Sequence, residues 1–133
     1  MAPSTNRLPT IAACARSFTV WVAEDDLGSV RAGLLRASDD LRSLDSPSMA
    51  SMCEEAPAAT GSDGVDAAVA SLVKFTLERF GQAVPEWVAL TAAAAEAFFI
   101  VPNGALRDLV VAETPHVFSQ RNVVVSWDFF ESV

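Results

Sequence analysis

The chain has 133 residues, of which 51% are hydrophobic, with a mean hydropathy of +0.31 and a formal net charge of −8. No run reaches the roughly 18 consecutive apolar residues needed to cross a bilayer, so the apolar surplus must pack inside the domain or against a partner. An acidic surface repels phosphate, which argues against direct nucleic-acid binding by this chain alone.

The first helical pattern opens after Pro9 and Thr10. Ile11, Cys14, Ala15, Phe18 and Val22 fall on one face of it. A second pattern begins near Asp25 or Asp26, either of which suits an N-cap, and carries the stripe Leu27, Val30, Leu34, Ala37 and Leu41. Gly28 and Gly33 weaken it by up to about 1 kcal/mol each relative to alanine. The two patterns read as two helices or as one bent element. Asp45-Ser46-Pro47 marks a break before a short helix through Met49, Met52 and Cys53. The stretch from Ala56 to Gly64, rich in Pro, Thr, Gly, Ser and Asp, is the clearest loop.

The strongest helix follows, capped by Asp63. Val65, Val69, Leu72, Thr76 and Phe80 form its stripe, widened by Val73 and Leu77, and Gly81 stops it. Pro85 begins a new turn ahead of Trp87. The alanine-rich segment from Thr91 to Phe99 reads as helix, ended by Pro102. Asn103 caps a further helix with Leu106, Leu109 and Val110, and Thr114-Pro115 repeats the start signal. Val123-Val124-Val125 is the one strand candidate, and Ser126 caps a last turn with Trp127, Phe129 and Phe130. The reading is all-α: one domain over residues 1–133, a compact bundle of about five to seven helices with at most one short strand near the C-terminus.

Catalytic chemistry finds little footing. The single histidine, His116, sits beside a helix start with no nucleophile motif nearby, and reads as a capping or surface residue. The carboxylate pairs Asp25-Asp26, Asp39-Asp40 and Glu54-Glu55 are neighbours in sequence and point in different directions on a helix, so they do not converge on a metal or a sugar. Cys14 and Cys53 form no redox or zinc motif, and Cys14 reads as a structural thiol on an apolar face. No phosphate-binding glycine loop and no basic recognition helix is present in the sequence. The expectation is therefore a non-enzymatic protein without cofactor or metal. The N-terminus lacks the charged-then-apolar pattern of a signal peptide, so a cytoplasmic location is expected.

Aromatic and arginine residues gather in the last third: Trp87, Arg107, Phe118, Arg121, Trp127, Phe129 and Phe130. Such residues anchor protein interfaces, although for Trp87 and Phe118 the core of a C-terminal subdomain is the favoured reading. The candidate partner-binding set is Trp87, Arg107, Phe118, Arg121 and Asn122. Phe118 is expected to anchor a short helix to the core. Arg121, beyond the helix end, is expected to reach outward to a partner with little effect on stability.

The order of several motifs carries a resemblance. Glu54-Glu55-Ala56-Pro57-Ala58-Ala59-Thr60-Gly61-Ser62-Asp63 is followed by the helix Asp66-Ala67-Ala68, then by Val84-Pro85-Glu86-Trp87, Leu106-Arg107, and Thr114-Pro115-His116-Val117-Phe118 with Arg121-Asn122-Val123. Over residues 12–133 the chain resembles a family of small helical antitoxin-like proteins of high-GC bacteria, encoded beside a toxin that is often nucleotidyltransferase-like. That family carries a Glu-Glu-Pro-Pro-Pro-Thr-Gly-Asp loop, a later Pro-x-Trp and a terminal Ser/Thr-Pro-x-x-Phe-x-x-Arg-Asn/Gly segment. Two of the loop prolines are replaced here by Ala56 and Ala58. The family's Pro-Trp-Phe appears only as Phe98-Phe99-Ile100-Val101-Pro102. The resemblance implies the antitoxin of a type II toxin–antitoxin pair, which neutralises by direct contact a cognate toxin encoded by the adjacent gene. A nucleotidyltransferase is the first toxin class expected and a P-loop kinase-type toxin the second. A non-toxin adaptor or a homodimeric structural subunit is the reading from a different class.

Overall fold

A helix with almost no polar face must lie at the centre of its domain, and α4 (Asp63–Arg79) is such a helix. The computed structural model describes residues 9–99, 114 and 116–125. Within α4 the stripe residues Val65, Val69, Leu72 and Thr76 are buried, and so are Ala67, Ala68, Ala70, Ser71 and Val73 on its other sides, but Phe80, expected in the stripe, is the C-cap and is exposed, because the helix ends before it can turn the ring inward. Its small residues let neighbours approach closely. A Cβ on Gly64 would stand 2.4 Å from Cδ1 of Phe98. The N-cap is Ser62, not Asp63: the Ser62 side chain accepts from Val65 N at 3.2 Å. Asp63 thereby falls in the first turn, where its carboxylate complements the helix dipole and is available to another element. At the other end Gly81 takes φ +71°, Gln82 N donates to Leu77 O, and Gly81 N donates to Glu78 O. This paired C-terminal closure needs a left-handed residue, which glycine adopts without strain.

The first two patterns are separate helices. α1 (Ile11–Ala23) starts where Thr10 caps Ala13 N, and the chain reverses at Asp25, which takes φ +57°. α2 (Leu27–Arg42) starts at Asp26, whose carboxylate accepts from the Ser29 hydroxyl and amide and is held below the ordinary carboxylate range by those bonds. Gly33, a weak helix former, has a packing reason. A Cβ there would lie 2.6 Å from Phe18 and 2.9 Å from Trp21. These two rings, with centroids 5.8 Å apart, sit on α1 against α2. α3 (Ser46–Met52) is capped by Asp45, and its Met49 is buried, as is Cys53 just beyond.

α5 (Glu86–Leu90) follows Pro85, as expected. The segment after it departs from the helical expectation. Residues 91–97 form an irregular loop that ends in β1 (Phe98–Phe99). Alanine propensity is overridden there by tertiary bonds: Ala94 N donates to Arg121 O at 2.9 Å and Phe98 N to Asn122 O at 2.8 Å. β1 pairs in parallel with β2 (Val123–Val124), where a strand was expected, with Phe98 opposite Val123. Between them in sequence, α6 (His116–Ser119) places Phe118 against α4, fully buried and with its ring centroid 5.4 Å from that of Phe75. The chain is thus mostly helical, with one two-residue strand pair among the described residues. The expected helix carrying Leu106, Leu109 and Val110, and the turn with Trp127, Phe129 and Phe130, lie outside the described residues. No helix among the described residues is long and apolar enough to cross a membrane.

Candidate functional site

The extended segment between α3 and α4 is fixed at both ends. At its start, the Trp87 indole N–H donates to the Cys53 carbonyl at 2.8 Å, which ties α5 to the end of α3. At its far end, the Thr60 amide and hydroxyl both donate to Oδ1 of Asp66, at 3.0 and 2.8 Å. Gly61 then turns the chain with φ +98°, and Ser62 starts α4. The proline and small residues of the segment favour an extended path, and Asp66 converts that path into a rigid strap.

Between this strap and α5 lies a groove of about 350 Å³. Pro57, Ala58 and Ala59 form one side, Trp87, Leu90 and Thr91 the other, and buried Ala15 and Val69 lie beneath. Leu90, at 76% exposure, is the most exposed large hydrophobic residue of those described. Two carboxylates also line the groove, those of Asp63 and Asp66. Asp63 Oδ2 accepts from Ala95 N at 2.8 Å, and Asp66 Oδ1 carries both Thr60 bonds. Among the described residues, the second oxygen of each accepts no hydrogen bond and no cation lines the groove. The result is an apolar slot with an aromatic wall and negative charge.

The sequence-derived set divides. Trp87 lines the groove, with its N–H used internally and its ring partly exposed. Phe118 is core, anchoring α6 as expected, and so does not belong to the partner-binding set. Arg121 does not reach outward as expected. Its Nη2 turns back to donate to Val88 O at 2.7 Å, while its own carbonyl receives Ala94 N. Asn122 sits at φ +63° and donates from Nδ2 to Ala94 O at 3.1 Å. These two residues clamp the irregular loop after α5. Arg107 lies outside the described residues. Arg121 also borders a second cavity, of about 520 Å³, with Lys74 and Glu86. Trp87 and Val88 therefore face different cavities from successive positions of α5.

Of the groove residues, Asp63 was expected only as a helix cap and, with Asp66, as part of the motifs that carry the resemblance, and Leu90 was not singled out. A usable signal was present for Leu90, which stands three residues after Trp87 on the same face of a short helix. The cysteines are chemically quiet: burial pushes the Cys53 thiol up to about 12, and burial, then the nearby Asp40 charge, raises Cys14. His116 is exposed at the first residue of α6, consistent with a surface histidine. Comparison with family models, with curated proteins and with solved structures finds no match for this chain.

Proposed function

We propose that the chain is a protein-binding module, and specifically the antitoxin of a type II pair that neutralises the product of its adjacent gene by direct contact. The observation that carries this reading is the groove. Two of the segments on which the sequence resemblance rests, residues 54–63 and 84–87, are far apart in sequence yet form its two sides. A rigid, partly apolar slot with an exposed leucine on its rim is suited to a protein partner, since aromatic and aliphatic anchors dominate such contacts.

In this reading the chain has no chemistry of its own. Its thiols are protonated at neutral pH, with Cys53 pushed up to about 12, and its single histidine is exposed on the surface. Neutralisation is steric and electrostatic: a domain of formal charge −8 covers a basic site that otherwise receives nucleotide or RNA phosphates. That favours a nucleotidyltransferase partner. The test is expression of the adjacent reading frame with and without this chain. The reading expects growth arrest that this chain relieves, together with co-purification of the two proteins. A neighbour that is harmless alone, or that does not bind this chain, overturns it.

A further inference from the structure

The groove has features that select among partner side chains. Its apolar sides exclude a fully hydrated ion, and its two carboxylates exclude an anion. Each carboxylate already spends one oxygen on the fold: Asp63 on Ala95 N, Asp66 on the amide and hydroxyl of Thr60. Both are therefore held in place, and each keeps one oxygen that accepts nothing from the described residues. Trp87 is held likewise, because its N–H is bound to Cys53 O and only its ring remains to be covered. By contrast, the cavity beyond α5 mixes Lys74, Arg121 and Glu86, and so selects no sign of charge.

Resting on the reading of this face as the partner-binding surface, we infer that the groove receives an arginine side chain of the partner, its guanidinium stacked on Trp87 and paired with Asp63 and Asp66, with an apolar neighbour of that arginine lying on Leu90. The guanidinium fits on three counts. It is planar and stacks on an indole face. It is weakly hydrated, so entry into an apolar slot costs it less than it costs the compact ammonium of lysine. Its forked donors serve two preplaced carboxylate oxygens at once. The volume, about 350 Å³, equals the liquid share of about a dozen waters at about 30 Å³ each. That is room for one long side chain and part of a neighbour.

The test uses the full ¹⁵N-labelled chain and three probes: Nα-acetyl-arginine amide, its neutral isostere Nα-acetyl-citrulline amide, and Nα-acetyl-lysine amide. The arginine amide is expected to give saturable shifts at the Trp87 indole N–H and the amides of residues 60–66, with a dissociation constant of about 1–50 mM, as suits one side chain. The lysine amide is expected to bind at least threefold more weakly and the citrulline amide not to saturate. Asp63→Asn keeps an oxygen for Ala95 N and is expected to weaken the arginine amide at least fivefold, while the lost first-turn charge lowers the melting temperature by no more than about 4 °C. Equal shifts from the citrulline or lysine amide, shifts confined to other residues, or no shift at all overturn the assignment. A second arm measures affinity for the adjacent gene product. If it binds the wild type and Asp63→Asn equally, the arginine site falls and the antitoxin reading stands. If it binds neither while the arginine amide saturates at the groove, the antitoxin reading falls and the site stands.

Discussion

Replacing Arg121 by alanine removes one bond and leaves the backbone path intact. The guanidinium donates to Val88 O at 2.7 Å, 33 positions away in sequence, and so ties the turn after α6 to α5. The carbonyl of residue 121 still accepts from Ala94 N, since that bond belongs to the main chain. A hydrogen bond from a charged donor contributes about 1.5–3 kcal/mol, and part of the loss is recovered if water reaches the freed Val88 carbonyl. The expected cost is about 2 kcal/mol. With 133 residues and an unfolding entropy of about 2.1 cal/mol/K per residue, that cost lowers Tm by about 7 °C. Thermal melting by far-UV circular dichroism, repeated with Arg121→Lys, measures it. The lysine variant is expected to recover less than half, because a single ammonium on a longer-lived water shell does not reproduce the planar donor. A melting point within about 1 °C of wild type for Arg121→Ala would refute the clamp, since a lost charge-assisted bond must register on the same scale. It would restore the outward-reaching arginine expected from the sequence.

Phe118→Ala empties a fully buried site beside Phe75 and is expected to cost about 3–5 kcal/mol in chemical denaturation, more than any groove variant. Gly64→Ala places a methyl 2.4 Å from the Phe98 ring and 3.0 Å from Phe98 Cβ, on the strand itself. The overpacking cost of about 1–3 kcal/mol outweighs the helix-propensity gain of up to about 1 kcal/mol, so the variant should melt lower than wild type. Cys53 supplies a pH dependence. Its thiol titrates near 9.0 when exposed and is pushed up to about 12 in the fold, so above pH 9 the unfolded chain binds fewer protons than the native one. Stability is thus fully present below about pH 9 and falls as pH rises towards 12, and Cys53→Ala should flatten that part of the denaturation profile.

Helices with a strong apolar period were legible in the sequence, because their burial pattern is local. Most of each stripe of α1, α2 and α4 is turned inward as the 3.6-residue spacing puts it, although Leu27 at the start of α2 and Phe80 at the end of α4 are exposed, and Asp26 caps α2 as its residue type suggests. What failed was long-range. The run from Thr91 to Phe99 has helical composition, yet Ala94, Ala95 and Phe98 donate to Arg121, Asp63 and Asn122, partners that no local window contains. The direction of Arg121 was misjudged for the same reason: its partner, Val88, lies on an element whose position the helix-end geometry does not reveal. The groove was half legible. Its two sides were visible as separate motifs, but their convergence depends on the Trp87–Cys53 and Thr60–Asp66 bonds, which join residues by fold in one case and by loop conformation in the other.

The groove as partner-binding surface is tested most directly by the affinity of the adjacent gene product for Leu90→Asp, measured by calorimetry against the wild type. Leu90 is 76% exposed, so its replacement leaves the core untouched, and the variant should melt within the usual surface range of about 0.5 kcal/mol. The account predicts at least tenfold weaker binding, about 1.4 kcal/mol or more, from removing an apolar anchor and adding a charge at the rim. Unchanged affinity in a normally folded Leu90→Asp variant would contradict it.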